Sequence, residues 1–269
     1  MSDGAKCDRA NSDNAKGGAM SAATVDYLLQ LGDTNLILGQ RLGEWVGHAP
    51  ALEEDLGLAN TALDLIGQAR LFLSYAGELE GRGRPEDDLA FLRFESEYRN
   101  PALVETANGD FGHTIVRQVL VDAYQLELYE RLQQSSDLRL AGICGKSLKE
   151  VRYHFRYSAG WLVRLGDGTA YSHARVQDAL DRLWPLTGEL FHENSSEQGL
   201  VRAGVAADLA LVKVAWSRRV SELLREATLR MPAETPYRWF GRRGSHSEHL
   251  GYLLADLQSL QRAHPGALW

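Results

Sequence analysis

Between residues 24 and 165, apolar residues recur at alternating spacings of three and four, the signature of helices with one buried side. Four stretches carry this pattern, and polar residues interrupt each apolar seam. The first runs Leu28, Leu31, Asn35, Leu38, Leu42, Trp45, and the second Leu58, Thr61, Leu65, Gln68, Phe72, Tyr75. The third runs Ile115, Val119, Asp122, Leu126, Tyr129, and the fourth Ser147, Val151, His154, Ser158, Trp161. Such seams are the inward faces of bundled helices. A polar side chain placed there needs a partner, because burying it unpaired costs a few kcal/mol.

The predicted helices cover 24–47, 52–80, 111–134 and 137–165. The first pair is joined by the turn Gly47-His48-Ala49-Pro50, and Gly166-Asp167-Gly168 stops the fourth helix. The connection 81–110 opens on the polar run from Gly81 to Asp88, carries a short helix at 88–97 and ends at Asn108-Gly109-Asp110. So long a connection is expected when helices 2 and 3 run parallel. Further helices are predicted near 172–193, 206–230 and 246–263; they exceed a minimal bundle and suit subunit contacts. The expected fold is all-α: a ferritin-like four-helix bundle with a long crossover between helices 2 and 3 and additional carboxy-terminal helices. Residues 23–269 are expected to form one domain, and the polar residues 1–22 a disordered tail.

The polar interruptions lie at one depth. Asn35 and Leu65 are each 15 residues from Pro50, while Asp122 and Val151 are 14 and 15 from Ser136. At about 1.5 Å per residue, all four levels fall roughly 22 Å from the bundle end. This is the layout of a carboxylate-bridged di-iron protein, which needs Glu, Glu-x-x-His, Glu and Glu-x-x-His there. The two Glu-x-x-His slots instead read Leu65-Ile66-Gly67-Gln68 and Val151-Arg152-Tyr153-His154.

Asp122 and His154 are the strongest candidates for chemistry. A buried hydrogen-bonded network with Asn35 and Gln68 is favoured over a weak single-metal site. Asp64, one step off the seam, could pair with Arg or Lys; Glu150, four residues from both Lys146 and His154 and flanked by Lys149 and Arg152, suits a salt-bridged helix face rather than a ligand pair with His154. His246-Ser247-Glu248-His249 has metal-like spacing, but Ser245 as N-cap and Glu248 as capping-box partner favour a helix start. Arg242 and Arg243 are taken as a solvated or subunit-facing patch. Arg93-Phe94-Glu95-Ser96-Glu97-Tyr98-Arg99-Asn100-Pro101 could stack a base and bind phosphates, although an interface loop is favoured. No nucleotide-binding glycine loop or nucleophile elbow is present.

Composition narrows the classes further. A net charge of -7 over 269 residues opposes general nucleic-acid binding. No run of 18 apolar residues exists to span a membrane, and the polar first 20 residues do not form a signal peptide. Cys7 and Cys144 make neither a disulfide framework nor a thiolate metal site. A cytoplasmic protein is expected.

Several strings resemble one family: Gln40-Arg41-Leu42-Gly43-Glu44-Trp45, Gly47-His48-Ala49-Pro50, the run from Leu63 to Arg70, the run from Lys149 to His154, and the run from His246 to Gly251. The chain resembles, from about Ala23 to Trp269, the structural C subunit of bacterial ring-1,2-phenylacetyl-CoA epoxidases. The resemblance implies a ferritin-like subunit beside a paralogous catalytic subunit that holds the di-iron centre. It further implies a small subunit and a reductase carrying flavin, iron–sulfur and NADPH chemistry, with no cofactor in this chain. By that comparison the vestigial metal slots are Asn35, Leu65, Gln68, Asp122, Val151 and His154. Coenzyme A of phenylacetyl-CoA is implied at the subunit boundary, against Glu97, Tyr98, Arg99, Asn100, Gln198, Gly199 and Leu200. Two functions compete: a non-catalytic scaffold subunit, and a self-sufficient ferritin-like metalloenzyme with an altered site. One carboxylate among six slots favours the scaffold.

Overall fold

The computed structural model describes residues 4–236 and 240–267, except the side chains of 4–17, 19 and 195. Among these residues there are ten α-helices, three 3-10 helices and no β-strand. Helix α1 spans Gly4–Gly43 and α2 Leu52–Glu80. Three acids, Glu53, Glu54 and Asp55, sit in the first turn of α2, where they complement the helix dipole. Gly81 ends it in the left-handed conformation at φ 69°, its N–H bonded to the Gly77 carbonyl. Helix α5 (Phe111–Leu132) is capped by Asp110 and α6 (Leu138–Gly166) by Asp137, each carboxylate accepting from backbone N–H groups.

The helices pack as two hairpins, α1/α2 and α5/α6. Glycines let α1 approach α2 closely: a Cβ on Gly32 would lie 2.7 Å from Leu73, and one on Gly39 3.2 Å from the Ala62 carbonyl. Between hairpins, Asn35 meets Tyr129 and Trp45 meets Thr114. Likewise Asp64 meets His154 and Glu54 meets Trp161. Both cross-hairpin pairings are therefore antiparallel.

The connection 81–110 folds into α3 (Glu86–Phe91), a 3-10 turn at Glu95–Glu97 and α4 (Ala102–Glu105). The single helix expected at 88–97 is broken after Phe91, where the Arg93 side chain turns back to the Leu89 carbonyl. Beyond the hairpins lie α7 (Ala170–Leu183), a 3-10 segment Trp184–Phe191, α8 (Ser195–Arg202), α9 (Leu209–Glu226) and α10 (Glu248–Ala263). Pro185 lacks an amide hydrogen at the point where the helix expected over 172–193 tightens. Helix α1 begins twenty residues earlier than the predicted 24 and stops four residues short of 47, where Gly47 turns the chain at φ 81°. Residues 1–3 of the expected tail lie outside the described residues.

Helices α7 and α9 cover α5, so α5 is buried on nearly all sides rather than on one seam. Trp216 of α9 donates its indole N–H to the Leu120 carbonyl at 3.0 Å and packs at a tilt against the rings of Trp184 and Phe191. The carboxy-terminal helices thus enlarge this chain's own core.

Two glycines of α2 separate space from propensity. A Cβ at Gly77 would sit 2.3 Å from the Arg84 carbonyl oxygen, whereas one at Gly67 would meet nothing within 4 Å. Gly→Ala in an open helix position gains about 0.5–1 kcal/mol, while forced backbone shifts cost about 1–3 kcal/mol. Gly67→Ala should raise the melting temperature and Gly77→Ala lower it, as thermal denaturation followed by circular dichroism would show.

Candidate functional site

The six positions selected from the seams all face the core. Helix α1 supplies Asn35, α2 Leu65 and Gln68, α5 Asp122, and α6 Val151 and His154, and all six are buried. Asn35 is fully engaged: its amide donates to the Leu31 carbonyl and the Tyr129 hydroxyl at 2.8 Å, and its oxygen accepts from Gln125. Gln68 donates to Glu150 at 2.8 Å. Asp122 accepts from Gln118 at 2.6 Å and from the Ser158 hydroxyl at 2.7 Å. The His154 Nε2 faces Asp64 at 3.0 Å.

The expected single network of Asn35, Gln68, Asp122 and His154 is therefore corrected. Among the described residues none of the four hydrogen-bonds another; each reaches to a neighbour on its own or a facing helix. Gln68 Oε1 and His154 Nδ1 have no hydrogen-bond partner among the described residues. Two side-chain assignments change with it. Asp64 pairs with His154 rather than Arg or Lys, and Glu150 takes Gln68 instead of joining a salt-bridged helix face. Arg152 instead reaches Glu130.

This donor set does not fit a carboxylate-bridged pair of irons. Leu65 and Val151 offer no donor atoms, Asn35 has its amide fully bonded, and one buried carboxylate cannot offset two metal charges. Among the described residues no three His, Cys, Asp or Glu side chains are grouped to hold a metal ion.

The connecting segment is held by carboxylates from below. Asp33 of α1, fully buried, takes the Arg93 guanidinium through both oxygens and also accepts the Arg99 backbone N–H at 2.8 Å. Tyr98 lies under the Arg93 guanidinium, 4.3 Å from ring centroid to Cζ, and its hydroxyl bonds the Ala90 carbonyl. Asn100 donates to Glu105. Of the residues implied for coenzyme A, Tyr98, Asn100 and Leu200 are thus buried. Glu97, Arg99, Gln198 and Gly199 keep accessible surface.

A second polar centre lies off the four seams. Buried Glu105 accepts the Ser247 N–H at 2.6 Å and faces His246 Nδ1 at 2.9 Å. His246 Nε2 faces the Tyr98 carbonyl at 3.1 Å. Both imidazole nitrogens thus face oxygen atoms; burial pushes its pKa down, but Glu105 and the Tyr98 carbonyl outweigh this and raise it. Arg242 is buried, not solvated, and bonds Gln30, Glu197 and the His192 carbonyl. Glu189 accepts the N–H groups of Ala102 and Arg242, and burial lifts its pKa to about 7. Helix α10 starts one residue after Ser247, not after Ser245. The sequence signal for this centre was slight: a lone Glu105 closing the apolar run Pro101-Ala102-Leu103-Val104.

These features define an all-helical protein whose central level is polar but poor in metal donors. The chain belongs to the phenylacetic acid catabolic protein family, whose pattern matches residues 8–269. It is 51% identical over 243 residues, 90% of this chain and 98% of the other, to the C subunit of the 1,2-phenylacetyl-CoA epoxidase of Escherichia coli (strain K12).

Asp122 makes the central level sensitive to pH. Burial raises its pKa from 3.8 to about 6, against the opposing effects of His154, Ser158 and Gln118. A raised folded-state pKa gives stability that is fully present below the unfolded value and lost as pH rises through the folded value. Asp122→Asn should therefore gain up to about 3 kcal/mol relative to the native chain between pH 4 and pH 7. Urea denaturation at the two pH values measures this, and an unchanging difference would contradict it.

Proposed function

We propose that this chain is a non-catalytic structural subunit of a phenylacetyl-CoA 1,2-epoxidase complex in aerobic phenylacetate degradation. It scaffolds a paralogous di-iron catalytic subunit, alongside a further small subunit and a reductase that uses flavin, iron–sulfur and NADPH. The observation that carries this reading is the donor set at the central level, where Leu65 and Val151 occupy the Glu positions of both Glu-x-x-His slots. The two antiparallel pairings between hairpins support a ferritin-like bundle in which α2 and α5 run parallel and residues 81–110 cross over. On that reading Asn35, Leu65, Gln68, Asp122, Val151 and His154 are a vestigial di-iron site whose polar members now serve packing.

The identity to the C subunit of an epoxidase supports the complex. Among the described residues no helix is long and apolar enough to cross a membrane, which is compatible with a cytoplasmic assembly. Phenylacetyl-CoA meets this chain at the subunit boundary through Glu97, Arg99, Gln198 and Gly199, the implied residues that retain surface.

Reconstitution tests the role. The catalytic subunit with reductase, small subunit and NADPH should epoxidise phenylacetyl-CoA only when this chain is present, and this chain with the reductase should turn over nothing. Full activity of the catalytic subunit without it would refute the scaffold function.

A further inference from the structure

Helix α10 is anchored as much by polar groups as by apolar packing. Its buried side chains are Leu250, Leu253, Leu254 and Gln258, whereas α5 is buried along nearly its whole length. Few buried apolar contacts mark the segments that open before the rest of a fold does. The loop ahead of α10, residues 240–247, ties it down. A Cβ on Gly241 would overlap the Asn100 carbonyl oxygen, and one on Gly244 that of Ser96, so the loop backbone lies directly on the connecting segment.

At this seam two buried cations meet two buried carboxylates. Arg242 pairs with Glu197 at 2.7 Å and His246 with Glu105 at 2.9 Å. Glu189 adds a third carboxyl, whose oxygens accept the backbone N–H groups of Ala102 and Arg242 at 2.9 Å. Among the described residues it has no cation within ion-pair reach. With Glu189 protonated and His246 charged, the seam is neutral. With Glu189 ionised and His246 neutral, three carboxylates face one guanidinium in the interior, and unbalanced buried charge is strongly unfavourable.

The surrounding groups leave this balance alone near neutral pH. Arg41 of α1 reaches the Glu105 carbonyl and is offset by Glu44. Burial raises the phenols of Tyr27 and Tyr124, near Arg242, and lifts that of Tyr98 to about 12. Burial and the neighbouring Arg243 lower His192. Arg99, beside Gly244, is paired with Asp26. Arg243 and Glu248 are exposed, and His249 lines a separate cleft with His113.

We propose that residues 240–247 form a pH-sensitive clasp, which releases as pH rises so that α10 undocks while the two hairpins stay packed. This does not depend on the scaffold role. Both titrating groups push the same way. Burial lifts Glu189 to about 7; burial lowers His246, but Glu105 and the Tyr98 carbonyl carry it above its ordinary value. A group whose pKa is raised in the closed form holds that form at low pH and ceases to as pH rises through the closed-state value. With a pKa of about 7 closed and an ordinary 4.5 open, Glu189 alone shifts the opening equilibrium about tenfold between pH 6 and pH 8. His246 adds to that shift. Opening uncovers Tyr98 and Asn100 on the connecting segment.

Hydrogen exchange of the full native chain at pH 6 and pH 8, expressed as protection relative to the intrinsic rate at each pH, tests the clasp. Amides of 248–263 should be less protected than those of α2 and α5 at both values, and their protection should fall at least about tenfold at pH 8. Glu189→Gln with His246→Gln should lower protection of α10 at pH 6 and remove its pH dependence. Asp122→Asn, at the central level and away from the clasp, should leave the α10 response intact. Protection of α10 equal to that of α2, or unchanged between the two pH values, would overturn the clasp. So would loss of the response in Asp122→Asn, because the pH effect would then be global. If the double variant failed to fold, the native profile and Asp122→Asn would still decide.

Discussion

The buried pairing of Asp33 with Arg93 is the constraint on which the rest of the architecture depends. Asp33 sits in the carboxy-terminal third of α1 with no exposed surface, and burying its charge alone would be prohibitive. Arg93 answers it from the connecting segment, and the Arg99 N–H fills the remaining acceptor capacity. Removing one member of such a pair costs about 3–5 kcal/mol, because the other charge is left stranded. The pair therefore fixes where residues 93–99 lie on the first hairpin. That placement in turn presents the Tyr98 carbonyl to His246 and brings Asn100 to Glu105. The carboxy-terminal helix α10 docks on the result, with Gln258 bonding the Arg93 carbonyl and the Tyr98 hydroxyl.

The polar residues of the interior share one use. Asp33, Glu105, Glu189 and Arg242 bind backbone groups and, except for Glu189, other side chains across elements distant in sequence, so they specify a single arrangement of irregular segments. Asn35, Gln68, Asp122 and His154 do the same at the central level, each tying a seam position to a neighbour. A metal centre would have needed those same lone pairs.

The regular helices were legible because their period shows directly in the chain. Helix α2 falls on the predicted 52–80, and the six central positions all face inward as the seams indicated. The partners of those positions were not legible. Gln125 and Gln118 lie off the α5 seam, yet both are buried, Gln125 against Asn35 of α1 and Gln118 against Asp122. Arg242 stood in a glycine- and arginine-rich run that looks solvated, and only the fold brings Gln30 and Glu197 to it. Tyr98 and Asn100 offered ligand chemistry by residue type, but the Asp33–Arg93 pair draws that stretch inward. Non-local pairings of irregular segments leave no period to read.

The proposal is that the interior polar groups of this chain hold the fold and not a metal. Elemental analysis of the chain purified alone from iron-replete cells tests that claim most directly. Iron far below one atom per chain is expected, with the folded state unchanged by a chelator. About two tightly held irons per chain would contradict it.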